Sequence, residues 1–244
     1  MTVRARVRGI YTTALTRLLL DAGHEVVQAS RPVRERFDAD LAGGDHDVAV
    51  ATTRDRQGVE VTGEGEAVDA AAGRCESLAR DALTWAADAP AGAVFDGRVT
   101  ETLGSGAVVD LGPTSGFLSY DAADGYVDDG DTVVVQVTDP RPPWDDNRSE
   151  LAGEVTATAG LATLVRGSSG VRVDTRDGGA GRELAGMTDL LDADVPDGWG
   201  VHWAGAATDA DMATLGDALG RAAARAAELE TALAAAGDAD GPGL

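Results

Sequence analysis

The first 88 residues alternate between two hydrophobic periods. Residues 4–10, 25–29, 47–52 and 58–62 are short runs of strand length, whereas Leu15, Leu18, Leu19 and Ala22 share one face of a helix over about 13–22 that Gly23 stops. A second helix is expected over 66–85, where Val68, Ala71, Cys75, Leu78, Ala82 and Trp85 repeat at helical spacing. That spacing makes Cys75 a small core residue and not a nucleophile. Residues 87–90 form a linker, after which β-rich runs are separated by Gly104-Ser-Gly106, Gly112-Pro-Thr-Ser-Gly116 and the polar stretch 121–131, the turn chemistry of hairpins and barrel corners. Gly97 sits inside the first of these strands, where a glycine marks a sharp bend or a close backbone approach. The pattern predicts an α+β chain in four parts. These are an N-terminal α/β domain (1–88), a small closed barrel (91–158), a smaller α/β segment with a terminal helix (159–236), and a disordered tail (237–244).

The terminal helix is expected over about 209–236, capped by Thr208. Met212, Leu215, Leu219, Ala222, Ala226, Leu229 and Leu233 repeat at three-four spacing. Two readings stay open for this seam: a coiled coil with a second copy of the chain, or packing against its own domain or a continuation of the chain, which the short alanine-rich seam favours.

Charge changes the picture most. All 20 basic residues are arginine, Asp and Glu total 42, and the formal net charge is −22. A lysine-free, acidic surface keeps a chain soluble by self-repulsion and favours the unfolded chain unless salt screens it, so a salt-filled, halophilic cytoplasm is expected. The 43% hydrophobic content excludes an acidic disordered chain. A single cysteine leaves no internal disulfide and fits a reducing compartment. Without an apolar run of about 20 residues or a signal-peptide core, the chain is expected to be cytoplasmic with no membrane partner.

Residues 93–112, followed by Gly116-Phe-Leu-Ser119 and Gly130-Asp-Thr-Val-Val-Val-Gln-Val137, resemble the S1-type OB-fold RNA-binding barrel of bacterial RNase E and RNase G. Farther on, Ala159-Gly-Leu-Ala-Thr-Leu-Val165, Glu183-Leu-Ala-Gly-Met-Thr188 and Val195-Pro-Asp-Gly-Trp-Gly-Val201 look like the segment that follows that barrel and contacts the RNA 5′ end. The whole layout is most similar to the archaeal RNase E/G-like family of AU-rich-RNA-binding proteins. The resemblance implies single-stranded, AU-rich or ribosomal-precursor RNA as the partner, and a role in ribosomal RNA maturation or turnover as an endoribonuclease or its RNA-binding portion. A noncatalytic RNA-binding adaptor is the alternative.

OB folds stack bases on aromatic side chains and follow phosphates with basic groups. By resemblance, Phe117 matches a stacking aromatic and Arg98 and Arg148 are the nearest cations, while Val108 stands where the bacterial barrels carry a second aromatic. Phe95, Tyr120, Tyr126 and Trp144 are further aromatic candidates, for which core packing is the competing explanation. Seven arginines against three acids in the first 36 residues suggest either an arm along the RNA backbone or ordinary ion pairing. The Arg-Thr pair with which bacterial relatives hold a 5′-phosphate falls, in register, on Ala204 and Gly205, so that activity is not carried over, and His202 reads as a packing histidine.

Catalytic residues are not legible. His24, His46 and His202 share no ligand spacing with Cys75, and Asp128-Asp-Gly-Asp131 lacks the order of a calcium loop and reads as a solvated turn. No metal site and no cofactor are expected in this chain, although the resemblance implies Mg²⁺ or Mn²⁺ for full-length members. Leu18-Leu-Leu-Asp-Ala-Gly-His-Glu-Val-Val27 with Ser30-Arg31 also resembles an NAD(P)-binding α/β unit. Its glycine fingerprint is missing, because only Gly9-Ile-Tyr-Thr-Thr-Ala14 follows the first strand.

Overall fold

The computed structural model describes residues 2–37, 39–41, 43–63, 65–78 and 80–236. The expected tail, 237–244, lies outside the described residues. Each of three hydrophobic clusters is organised around one β-sheet.

The first sheet combines β1 (Arg4–Val7), β2 (Glu25–Val27), β3 (Val48–Thr52) and β4 (Val59–Gly63) in the order β2-β1-β3-β4. Both neighbours of β1 run parallel to it, and β4 returns antiparallel to β3. Helix α1 (Thr12–Asp21) buries Leu15, Thr16 and Leu19, and a short helix α2 (Arg31–Arg34) buries Val33. Helix α3 (Gly65–Glu76) buries Ala67 and Ala71. It ends well before the expected Trp85. Cys75 is partly buried against the first core, but Leu78 and Leu83 are exposed, so the later apolar positions find no sheet to cover. Helical spacing persists there in sequence without the burial that would hold a helix together. At the turn between β1 and α1, Ile10 N–H donates to Thr52 Oγ1 at 3.0 Å, and a Cβ on Gly9 would fall 1.9 Å from that oxygen. The turn is thus closed against β3 by a side-chain oxygen, and Gly9 is needed there for the close approach of Thr52.

The second sheet closes on itself. Strands β5 (Val94–Thr102), β6 (Gly106–Asp110), β7 (Ser115–Ser119), β8 (Thr132–Asp139) and β9 (Ser149–Ala152) form a closed five-stranded barrel in the order β5-β6-β7-β9-β8. All pairs are antiparallel except β7 with β9, an arrangement compatible with an OB fold. Gly97 fulfils its expected role, because a Cβ there would lie 2.5 Å from Val109 Cγ1. Only glycine lets β5 coil that tightly over β6.

The third sheet joins β10 (Thr156–Ala159), β11 (Ala162–Arg166), β12 (Val171–Val173) and β13 (Trp199–Trp203) in the order β10-β11-β13-β12. Helix α4 (Gly178–Thr188) is capped by Asp177, which accepts from Gly179 and Ala180 N–H. The terminal helix α5 (Met212–Ala236) starts later than expected, after a 3-10 turn at Gly205–Asp209. Asp211, not Thr208, accepts from Thr214 N–H at 2.8 Å and caps it, while Thr208 Oγ1 donates to Gly205 C=O. Leu215, Leu219, Ala222 and Ala226 of the seam are buried against the third sheet, and Leu229 and Leu233 pack on the same core. These seam positions are therefore packed inside the chain, while Met212 at the start of the seam is 43% exposed.

Polar clamps join the sheets. Gln136 of β8 donates to Gly92 C=O and Thr156 C=O, and its carbonyl oxygen accepts from Thr156 N–H and Oγ1, which saturates a buried amide between barrel and third sheet. Asp45, only 2% exposed, reaches from the first sheet to the β10–β11 hairpin, where it pairs with Arg221 of α5. Gly160 at that hairpin (φ 58°) leaves the room: a Cβ would sit 1.7 Å from Asp45 Oδ1.

Candidate nucleic-acid interface

Strand alternation sorts the barrel residues into two sets. On β5, β6 and β7 the inner set includes Phe95, Val99, Ala107, Val109 and Leu118, all within the barrel core. Phe95 has no exposed surface and lies opposite Val135. It corrects the expectation of a base contact: a ring that fills the narrow centre of a five-stranded barrel offers no face to a ligand.

Phe117 belongs to the outer set. It is half-buried on β7 with Val108 of β6 on one side and Glu150 of β9 on the other. A Cβ on Gly106 would lie 2.6 Å from Phe117 Cζ, so the tip of the ring reaches over a glycine that leaves room for it. Val108 is 5% exposed and sits in register beside Phe117, an aliphatic neighbour that offers no stacking face.

Arg98 is exposed on β5, in register with Asp110 of β6 and Thr132 of β8. Asp110 is in turn in register with Ser115, two residues before Phe117, so Arg98 lies on the same wall one step along the strands and two strands away. Arg148 is exposed immediately before β9 and shares the outward alternation of Glu150. Tyr120 is 42% exposed, but its OH donates to Leu103 C=O at 2.9 Å and its N–H to Ser105 C=O at 3.1 Å. It fastens the end of β7 to the β5–β6 turn. Tyr126 and Trp144 are exposed on the loops before β8 and before β9.

A cluster of charges next to Phe117 carried no sequence signal. Arg141 Nη2 contacts Glu150 Oε1 at 3.0 Å and Asp139 Oδ2 at 2.9 Å, and its Nη1 lies 3.7 Å from Asp145. Arg54, from the turn between β3 and β4, pairs with the same Glu150. Residues 54 and 150 are joined only by the packing of two sheets.

The remaining candidates resolve otherwise. Arg4, Arg17 and Arg31 pair with Asp47, Asp21 and Glu35, so three of the seven N-terminal arginines are spent on local ion pairs. Asp128 and Asp131 close their own turn, Asp128 N–H donating to Asp131 Oδ2 and Asp131 N–H to Asp128 C=O. Among the described residues no group of three or more His, Cys, Asp and Glu could hold a metal ion. Ala204 and Gly205 follow β13, and a Cβ on Gly205 would fall 2.4 Å from Asp174 C=O, so no hydroxyl-bearing side chain fits there. His202 is half-buried in β13, in register with Thr163 and Arg172.

Among the described residues no helix is long and apolar enough to cross a membrane. No family model matches the chain. Proteins named "Probable ribonuclease FAU-1" are similar over nearly all of it: that of Natronomonas pharaonis is 46% identical over 243 residues, covering 98% of this chain and 50% of the relative. That of Halobacterium salinarum is 45% identical over 247 residues, 99% of this chain and 51% of the relative. That of Haloarcula marismortui is 50% identical over 203 residues, 83% of this chain and 42% of the relative. The chain spans about half the length of these curated relatives, and along that half it is a homologue of archaeal proteins named as probable ribonucleases.

Proposed function

We propose that this chain is the RNA-binding portion of an archaeal ribonuclease of the RNase E/G-like kind, and that its S1-type barrel holds single-stranded RNA on the outer face of β6 and β7. The observation that carries the reading is Phe117: an outward aromatic ring whose tip lies over Gly106, half-open, on the strands an OB fold uses for oligonucleotides. Arg98 and Arg148 on the same wall supply phosphate contacts. The name of the relatives supports RNA as the substrate class and cleavage as the reaction of the whole protein. An AU-rich target fits a stacking platform because such RNA is weakly paired and leaves bases free to be splayed out.

Fluorescence anisotropy in 1 M KCl, with a labelled AU-rich 12-mer and the same sequence in a perfect duplex, tests the reading. The single strand should bind more tightly, since an OB surface needs unstacked bases. Equal affinity for the duplex would defeat it.

A further inference from the structure

The turn between β3 and β4 belongs to the first sheet, yet its first arginine rests on the barrel. The turn is stiff. Thr53 Oγ1 donates to Asp55 Oδ1 at 2.6 Å and accepts from Gly58 N–H at 3.0 Å, and Gln57 N–H donates to the same carboxylate at 2.9 Å. Arg56, at a left-handed φ of 62°, donates its N–H to Thr53 C=O, and Tyr11 OH donates to Arg56 C=O at 3.2 Å. Arg54 is thus offered from a pre-ordered base, which lowers the ordering cost of any contact it makes.

Its guanidinium is aimed as well as anchored. Nη1 pairs with Glu150 and lies 4.0 Å from Asp139, while the side chain as a whole stays 68% exposed. Glu150 is the register neighbour of Phe117, and strands in register lie about 4.8 Å apart, so the residue that holds the cation is on the strand next to the one that carries the ring. A guanidinium held through one nitrogen keeps further N–H donors in a fixed fork for a second acceptor. Aromatic ring and neighbouring cation are the two parts with which single-strand binders take a base and its phosphate.

We propose that Arg54 is an RNA-contacting residue: it takes a phosphate of the strand whose base lies on Phe117, with Glu150 and Asp139 fixing its direction. The first sheet thereby completes the interface of the barrel. This rests on the RNA-binding reading above.

The test compares three variants of the full 244-residue chain in the same anisotropy titration with the AU-rich 12-mer at 1 M KCl. Arg54→Ala should weaken binding by roughly fivefold or more, in the range of a lost charge-assisted contact. Glu150→Gln breaks the same inter-sheet ion pair but leaves an amide oxygen and Asp139 to direct the guanidinium, and it removes a carboxylate that repels phosphate, so it should bind as tightly as the parent or more tightly. Equal losses in these two variants would mean that the pair only holds the sheets together, and would overturn the proposal. An unchanged affinity in Arg54→Ala, with a loss in Phe117→Ala, would overturn it too while leaving the barrel reading intact. Were Phe117→Ala also without effect, the barrel reading itself would fall, and this one with it.

Discussion

Phe117 is held by its neighbours in a way that separates its two possible roles. The ring is on the outer face, outside the barrel core that Phe95 fills, so its removal opens no interior cavity. Phe117→Ala should therefore weaken RNA binding by roughly 1–3 kcal/mol, the worth of a base-stacking contact, and move the thermal midpoint little. A stability loss of about 3–5 kcal/mol, typical of a truncated core phenylalanine, would show that the ring is structural. Gly106 makes a companion test. A Cβ there would lie 2.3 Å from Leu118 C=O and 2.6 Å from the ring. Gly106→Ala must displace backbone or move the ring, and is expected to lower both stability and RNA affinity, whereas loss of stability alone would show that the seat of Phe117 over Gly106 is irrelevant to binding.

Between elements, the contact of Asp45 with α5 and the β10–β11 hairpin is the most exacting. Burial raises the Asp45 pKa, against the opposing pull of His46 N–H, Arg221, Arg4 and Leu161 N–H. Asp45→Ala removes the buried partner of Arg221, whose side chain is itself 30% exposed, and should cost about 1–3 kcal/mol, as the loss of one partner of a buried polar contact does. Urea unfolding in molar KCl measures it, and a change below about 1 kcal/mol, the worth of a surface pair, would show that water already screens the site. Next to it, burial foremost, and then the charges of Arg6 and Arg221, push His46 down to about 4. Gln28 Nε2 lies 3.3 Å from its Nδ1, which suits a neutral ring that accepts there. A histidine with a depressed pKa takes up its proton in the unfolded chain first, so stability falls as pH drops from about 6.5 to about 4. The loss from His46 amounts to roughly 3 kcal/mol. Asp45, with a raised pKa, contributes in the opposite sense, because its stabilisation is lost as pH rises through the folded value. Comparison with His46→Gln isolates the histidine: the variant should show a shallower loss over that window, and an identical profile would mean that His46 titrates as it does in the unfolded chain.

For the molecule as a whole, net charge decides the conditions under which any of this operates. At −22, the chain repels both itself and an RNA backbone in dilute buffer. At 1 M salt the Debye length is about 3 Å, so distant carboxylates are screened and stacking and close hydrogen bonds decide affinity. The protein should accordingly hold or gain RNA affinity as KCl rises from 0.1 M toward roughly 2 M, the reverse of a basic nucleic-acid binder. Titrations across that range check it, and a steep monotonic loss would contradict the halophilic reading. Halophilic archaeal sources of the similar proteins agree with the composition.

Local chemistry was enough to read the elements. Turn glycines, alternation and helical spacing predicted the strand runs of the barrel, the first strands and α1, and the placing of a long final helix, because each depends on neighbours within a few residues. That Phe117 is a stacking candidate was likewise readable from its Gly-Phe-Leu setting and the family resemblance. Burial was not. Phe95 and Phe117 are both strand aromatics, and only barrel closure turned one inward and left the other at the surface. The reach of α3 was misjudged for the same reason, since helical spacing continues past Glu76 while the sheet that would cover it does not. The seam of α5 satisfied both a coiled coil and an internal packing, and the third sheet decided for the latter. Most of all, the meeting of Arg54 with Glu150 and of Asp45 with Arg221 depends on contacts between residues 96 and 176 positions apart. Periodicity carries no information about such pairs, because charge complementarity at that separation is realised only when whole sheets have packed.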